Sequence, residues 1–221
     1  MKLSKQTLGI LKNFSTINQS IVIKPGNVIQ TISDVKDIHA RVEVQEEFPC
    51  EIAIYDLNEF LGVISLFDSP ELDFGDDCVV ISEGRQKQTY YYADSSIITQ
   101  APAKGVVLPS VEASATVTSE QLSKASKASS INGATHISFK NGDLVVQNKS
   151  VPNSNNFVIQ EIGTEGDYEL SIGVDKLKMV QCDYNVSVCA KGMAQFVGSI
   201  GEGEIGISYS VALTTDGYFN G

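Results

Sequence analysis

The stretch Ser4-Lys5-Gln6-Thr7-Leu8-Gly9-Ile10-Leu11-Lys12-Asn13-Phe14, followed by Ile21-Val22-Ile23-Lys24-Pro25-Gly26-Asn27-Val28-Ile29-Gln30-Thr31, decides how the chain is read. At about 100° per residue, Leu3, Thr7, Ile10 and Phe14 share one side of a helix while Lys2, Lys5 and Lys12 share the other. The β-branched runs after it, parted by Pro and Gly, predict a hairpin. The same order returns downstream. Residues 119–129 predict a second helix, opened by the capping-box pattern Thr118-Ser119-Glu120-Gln121, and residues 136–147 a second hairpin turning at Lys140-Asn141-Gly142-Asp143. In both copies a short apolar strand behind an acid then leads into a further helix. These are Glu51-Ile52-Ala53-Ile54 before residues 57–66, with Asp56 as N-cap, and Glu169-Leu170-Ser171-Ile172 before residues 174–180. Gly26 and Gly142 lie 116 positions apart and Glu51 and Glu169 lie 118 apart, so two landmarks share nearly one offset. Tandem copies of one β-rich domain follow.

Around this repeat the chain is mostly strand-like. Arg41–Val44, Val79–Ile81, Phe157–Ile159, Asn185–Cys189 and Ile205–Leu213 are β-branched runs bounded by Gly, Pro, Asn or Asp. Gln100-Ala-Pro-Ala-Lys-Gly-Val-Val-Leu-Pro-Ser110 has two prolines and no periodicity, and reads as an extended connector. The expected domains are therefore 1–110, ending in the connector, and 111–221. The expected fold class is α+β and β-rich, with antiparallel sheets and two helices in each domain. Glu71-Leu-Asp-Phe-Gly-Asp-Asp77 reads as an acidic surface loop, lacking the spacing of a calcium loop. Gly201-Glu202-Gly203-Glu204 reads as a solvated hairpin turn, its carboxylates repelling phosphate.

Composition narrows the function classes. The 221 residues are 42% hydrophobic, enough for one large β-rich domain or two domains of about 110 residues, and carry 16 Lys and Arg against 27 Asp and Glu, a net charge of -11. Whole-molecule attraction to nucleic acid is excluded; any DNA contact needs a segregated basic face. The amino terminus lacks the apolar run of a secretion signal and no stretch suits a membrane span, so cytoplasmic residence is expected. Cys50, Cys78, Cys182 and Cys189 contain no C-x-x-C pair and, with only His39 and His136 beside them, are expected to be reduced, buried thiols rather than metal ligands. Neither a Walker loop nor a G-x-S-x-G or H-E-x-x-H motif occurs, so no cofactor, metal or catalytic residue is expected. A hydrolase built on His39 or His136 lacks a recognisable nucleophile.

The lysines depart from a bland surface. Seven of the 16 basic residues, Lys2, Lys5, Lys12, Lys124, Lys127, Lys176 and Lys178, fall in three of the four helical stretches, and these seven are the candidate DNA-facing residues. Each helix taken alone is equally explained by solvation of its outer face. The same polarity in equivalent helices of both copies favours a function, although Glu120 and Asp175 interrupt the segregation.

Met1-Lys2-Leu3-Ser4-Lys5 with Leu11-Lys-Asn-Phe14 and Thr16-Ile-Asn18, then Ala53-Ile-Tyr-Asp-Leu-Asn58 with Phe60-Leu-Gly62, resembles the sliding clamps of T-even-like bacteriophages, the processivity factors of their DNA polymerases. The resemblance continues in Ala93-Asp94, Ala101-Pro102, Ala190-Lys-Gly192 and Tyr209–Leu213. It implies a homotrimeric ring of two-domain subunits, with helices lining a hole that holds double-stranded DNA without sequence preference. It also implies a phage DNA polymerase and an ATP-dependent clamp loader as partners, and transcription machinery as a further partner in relatives, within the cytoplasm of an infected bacterial host. In that layout the edge at Tyr90-Tyr91-Tyr92 meets a neighbour's edge at Phe157-Val158-Ile159; both runs read equally well as internal strands. Family partners dock peptides near the interdomain connector, which makes Val106, Val107 and Leu108 candidates for the pocket wall, or else residues that pack the connector down. The main rival reading is a structural β-rich phage virion or tail protein whose lysines are only solvated.

Overall fold

The computed structural model describes residues 1–151, 153–164, 166–201 and 205–220. The chain divides into two units, Met1–Gly105 with Gly203–Ile207 and Val106–Glu202 with Ser208–Gly221. The first unit contains α1 (Lys5–Phe14), β1 (Ile21–Ile23), β2 (Gly26–Ile32), β3 (Ile38–Phe48), β4 (Ile52–Ile54), α2 (Leu57–Ile64), β5 (Glu71–Phe74), β6 (Cys78–Glu83) and β7 (Gln86–Tyr91).

Helix α1 forms because Ser4 caps it, accepting from the Thr7 amide at 3.1 Å, and because Thr7, Ile10, Leu11 and Phe14 all turn inward. A carboxylate from β3 finishes that end: Glu46 accepts from the Ser4 backbone amide and, at 2.7 Å, from the Thr7 hydroxyl. Burial opposes the Glu46 charge, but these hydrogen bonds outweigh it and hold its pKa below the usual carboxylate range. Asp56 caps α2 by accepting from the Asn58 and Glu59 amides, each at 3.0 Å. The helix ends at Ile64, two residues short of the expected Leu66.

The hairpin expected at Lys24-Pro25-Gly26-Asn27 is not formed. β1 pairs antiparallel with β4, whereas β2 pairs with β3 across the turn beginning at Ser33. Pro25 has no N–H for a ladder and Gly26 adopts φ 112°, so the chain swings out of one sheet into another. The acidic run expected as a loop is also partly strand. β5 pairs with β6 and alternates, with Leu72 buried between exposed Glu71 and Asp73.

The second unit holds β8 (Ala113–Val117), α3 (Ser119–Asn132), β9 (His136–Lys140), β10 (Asp143–Gln147), β11 (Asn156–Glu161), β12 (Asp167–Gly173), β13 (Tyr184–Cys189), β14 (Met193–Ile200) and β16 (Tyr218–Asn220). β15 (Ile205–Ala212) belongs to it from Ser208 onward. Here the expected hairpin forms: β9 pairs with β10 around Asn141 (φ 48°) and Gly142 (φ 93°), the two left-handed positions that a tight hairpin needs. One sheet runs β11-β10-β9-β12-β16, and β15, β14, β13 and β8 lie side by side. The turn residues Glu202, Gly203 and Glu204, expected as a solvated hairpin, lie outside the described residues.

The capping box of α3 is formed, with Thr118 Oγ1 accepting from the Gln121 amide at 3.2 Å and Gln121 Oε1 accepting from the Thr118 amide at 2.8 Å. Gly133, at φ 60°, closes the helix. The expected helix at 174–180 is corrected to a single 3-10 turn, Val174–Lys176. Its last residue explains why. At Val180 the N–H, which a helix would bond to the carbonyl four residues earlier, donates instead to the Tyr209 hydroxyl at 3.2 Å, and the carbonyl accepts from the Tyr184 hydroxyl at 2.7 Å. Two helices per domain therefore describe the first unit and not the second. All four cysteines are free, with Cys189 buried and the other three half-buried.

The repeat is visible in register. Ile21, Val22 and Ile23 oppose Ile54, Ala53 and Ile52, as Ile137, Ser138 and Phe139 oppose Ile172, Ser171 and Leu170. One step further, Lys24 pairs with Glu51 at 2.5 Å and Lys140 with Glu169 at 2.9 Å. Lys24 and Lys140 lie 116 positions apart and Glu51 and Glu169 lie 118 apart, so the offsets found in the sequence relate the same cross-strand ion pair in both copies.

Candidate nucleic-acid interface

Charge on the helical faces is uneven between the units. On α1, Lys5 and Lys12 are exposed and, among the described residues, have no carboxylate within ion-pair distance. Lys2, just before the helix, is also exposed and donates to Ser69 Oγ at 3.1 Å. Its position is held because Met1 exchanges both backbone hydrogen bonds with Leu72. The α1 segment Lys5–Phe14 contains no acid, and α2 beside it contains no base. The positive charge of the first unit's helical face therefore comes from α1 and its leading residue.

On α3, Lys124 and Lys127 are exposed as expected, but Lys124 is tied to Glu120 at 2.7 Å one turn away. An exposed i, i+4 pair adds only a few tenths of a kcal/mol to the helix, yet it places a negative charge within reach of any phosphate that Lys124 approaches. Lys176 and Lys178 are half-buried. Lys176 donates to the Ala212 carbonyl at 3.5 Å, so this pair extends from a tethered turn and not from a helical face.

The two strand runs singled out in the sequence are sheet edges among the described residues. β7 ends the order β5-β6-β7, and β11 ends the order β11-β10-β9-β12-β16. Within β7 and after it, the tyrosines differ. Tyr90 turns inward, its ring 5.2 Å from Phe60 and its hydroxyl donating to the Asp56 carbonyl at 3.3 Å, while Tyr91 is 73% exposed. Tyr92 is half-buried. On β11, Phe157 and Val158 are exposed and Ile159 turns in toward Leu122 and Phe139. In the connector, Val107 is 83% exposed, Val106 and Leu108 are half-buried, and the Val106 carbonyl accepts from Gln195 at 3.1 Å. His39 is buried against Gln30 Oε1 at 3.4 Å, and burial, with Arg41 adding to it, pushes its pKa down. It is a packed histidine with no carboxylate partner among the described residues.

Residues 2–100 match the family model described as DNA polymerase processivity factor. A sliding clamp of Enterobacteria phage T4 is 32% identical over 231 aligned residues, covering 98% of each chain. A sliding clamp of Vibrio phage KVP40 is 31% identical, covering 90% of this chain and 95% of that one. This chain belongs to the phage sliding clamps. The fold agrees across much greater sequence distance. The A. fulgidus PCNA, solved with the C-terminal region of FEN-1, superposes with a TM-score of 0.68 at 12% identity, covering 94% of both chains. The H. pylori beta clamp superposes at 0.66 and 10% identity, covering 94% of this chain and 63% of that one. As a clamp the protein is a processivity factor of DNA replication, and none of these matches points to a catalytic family.

Sequence reasoning missed two groups in this clamp. Glu46 carries no local signal, because it reaches the start of α1 from 39 positions away. Gly9 and Gly62, both exposed and facing open space, were visible as glycines inside helical patterns, which ordinarily costs about 1 kcal/mol against Ala and therefore invites a reason.

Proposed function

We propose that the chain acts as a homotrimeric ring that encircles duplex DNA and tethers the phage replicative polymerase, in the cytoplasm of the infected bacterium. The observation carrying this reading is the acid-free, solvent-exposed lysine face of α1 on a molecule of net charge -11. Phosphate contacts without base readout permit sliding, and the acidic remainder disfavours DNA elsewhere on the surface. Lys2, Lys5 and Lys12 carry most of the proposed phosphate contact, Lys127 and Lys124 less, and Lys176 and Lys178 least. The two clamp-like domains are 1–110 and 111–221.

Ring closure uses the free backbone groups of β7 on one subunit and β11 on the next. Tyr91, Phe157 and Val158 supply the exposed apolar contacts; Tyr90, Tyr92 and Ile159 support the edges from behind. Val106, Val107 and Leu108 receive an apolar anchor from a polymerase peptide, a modest affinity made sufficient by the ring's topology. A separate ATP-driven loader opens the ring, and transcription machinery is a further partner.

Primer extension on a circular template tests the reading. Adding the chain with its polymerase and loader lengthens products only when ATP is present. Lys5→Glu with Lys12→Glu, at positions pointing away from Ile10 and Phe14, removes this effect while leaving the fold intact. Full processivity of that double variant at physiological salt would overturn the assignment of α1.

A further inference from the structure

Helices α1 and α2 of the first unit each carry a glycine that lines one open trough. Gly9 is exposed on α1 and Gly62 on α2, and a Cβ built on either meets nothing within 4 Å. The trough has a volume of about 610 Å³, within the range of ligand sites, and is lined with apolar groups from Leu3, Leu8, Leu61, Phe67 and Leu72. Its charge is one-sided. Lys2, Lys5 and Lys12 stand along the α1 edge, the α2 edge presents Asn58 and Ser65, and Asp68 is the one acid among the lining residues. Lys5 and Lys12 are seven residues apart, which spaces them about 10 Å along the helix axis.

We propose that this trough docks an acidic amphipathic helix of a partner protein. Its apolar face packs on Leu8, Leu61 and Phe67, and two of its carboxylates, two turns apart, meet Lys5 and Lys12. Gly9 and Gly62 let the incoming backbone approach as closely as helix packing requires. The same lysines serve DNA in the clamp reading, so on that reading the helix and the duplex exclude one another at this unit.

The test uses the full chain without DNA, polymerase or loader, so its outcome is independent of primer extension. The probe is a synthetic amphipathic peptide with Leu along one face and two Glu residues seven positions apart on its edge, titrated by calorimetry. Saturable binding, with a Kd on the order of micromolar, is expected. Gly9→Leu and Gly62→Leu, each filling the trough, weaken binding at least about tenfold, and Lys5→Gln with Lys12→Gln weakens it about tenfold. A matched peptide with Lys in place of Glu does not bind. Thermal melting establishes that each variant is folded; if a leucine variant melts early, the lysine pair, wholly on the surface, carries the reading. The proposal is overturned if the Glu peptide does not bind, if it binds folded leucine variants unchanged, or if the Lys peptide binds equally well.

Discussion

In the first unit Val22 and Ala53 face each other across β1 and β4 and pack with Ile98, whereas at the equivalent positions of the second unit Ser138 and Ser171 share a hydrogen bond of 2.8 Å. Both serines are fully buried. Around them Gln147 donates at 2.8 Å to Ser138 Oγ and to Glu169 Oε1, and Lys149 bridges Glu169 at 3.0 Å and Asp216 at 2.7 Å. One register thus supports an apolar cluster in one copy and a polar network in the other. The polar version is tolerable only because its members supply each other's partners; a single unpaired member would carry the full desolvation cost.

The difference changes what the shared ion pair contributes. Lys24 and Glu51 keep 53% and 40% of their side-chain surface in solvent, whereas Glu169 keeps 10% and is shared between Lys140, at 40%, and Lys149, at 16%. Removing Glu169 leaves the half-buried Lys149 with Asp216 alone and takes an acceptor from Gln147, whereas removing Glu51 frees an exposed ammonium. Glu169→Ala is expected to destabilise the chain by about 3 kcal/mol. Glu51→Ala is expected to cost under about 1 kcal/mol. Chemical denaturation of the full chain followed by fluorescence compares them, and equal costs would end the distinction between the two settings.

Acid titration sharpens the comparison further. The hydrogen bond from Lys149 holds the Asp216 pKa down to about 2. Burial works against the Glu169 charge, but Lys140 and Lys149 outweigh it and keep its pKa low as well. Unfolded carboxylates titrate near 4, so both groups contribute stability that is fully present above that pH and is lost as the pH falls toward the folded values. Stability is expected to drop between about pH 4 and pH 2, with a shallower slope in Asp216→Asn. Lys149 has the opposite sign: burial lowers its pKa, Asp216 and Glu169 raise it by more, and its contribution is lost as the pH rises through the folded value. An unchanged acid slope in Asp216→Asn would remove Asp216 from the network.

The smallest expected effect concerns the two basic helices. Because Glu120 already pairs with Lys124 while, among the described residues, no carboxylate lies within ion-pair distance of Lys5 or Lys12, Glu120→Gln is expected to tighten DNA association about twofold at low salt and to steepen its salt dependence. DNA retention on circular templates across a salt series measures it. No change would mean that α3 lies farther from the phosphates than α1.

Much of this was legible in the chain because local rules were strong and agreed. The capping box at Thr118, the Asn141-Gly142 turn and the wheel of α1 each state their geometry within a few residues. Two readings failed where distant groups intervened: β1 left its expected hairpin partner for β4, and the backbone of Val180 was claimed by Tyr184 and Tyr209. The lysines themselves were found, but their inequality was not, since Glu120 lies one helical turn from Lys124 and only geometry tells a formed pair from a near one.

By itself, the sequence determined the β-rich duplication, the basic helices on an acidic chain and the family, because periodicity, turn chemistry and charge are written in neighbouring residues. Tertiary structure alone decided which strands pair, which tyrosine faces inward, how Glu46 completes α1, and why the same Lys–Glu pair is incidental in one unit and embedded in the other. Those outcomes depend on desolvation and on partners far away in the chain, and neither is a property of any local stretch.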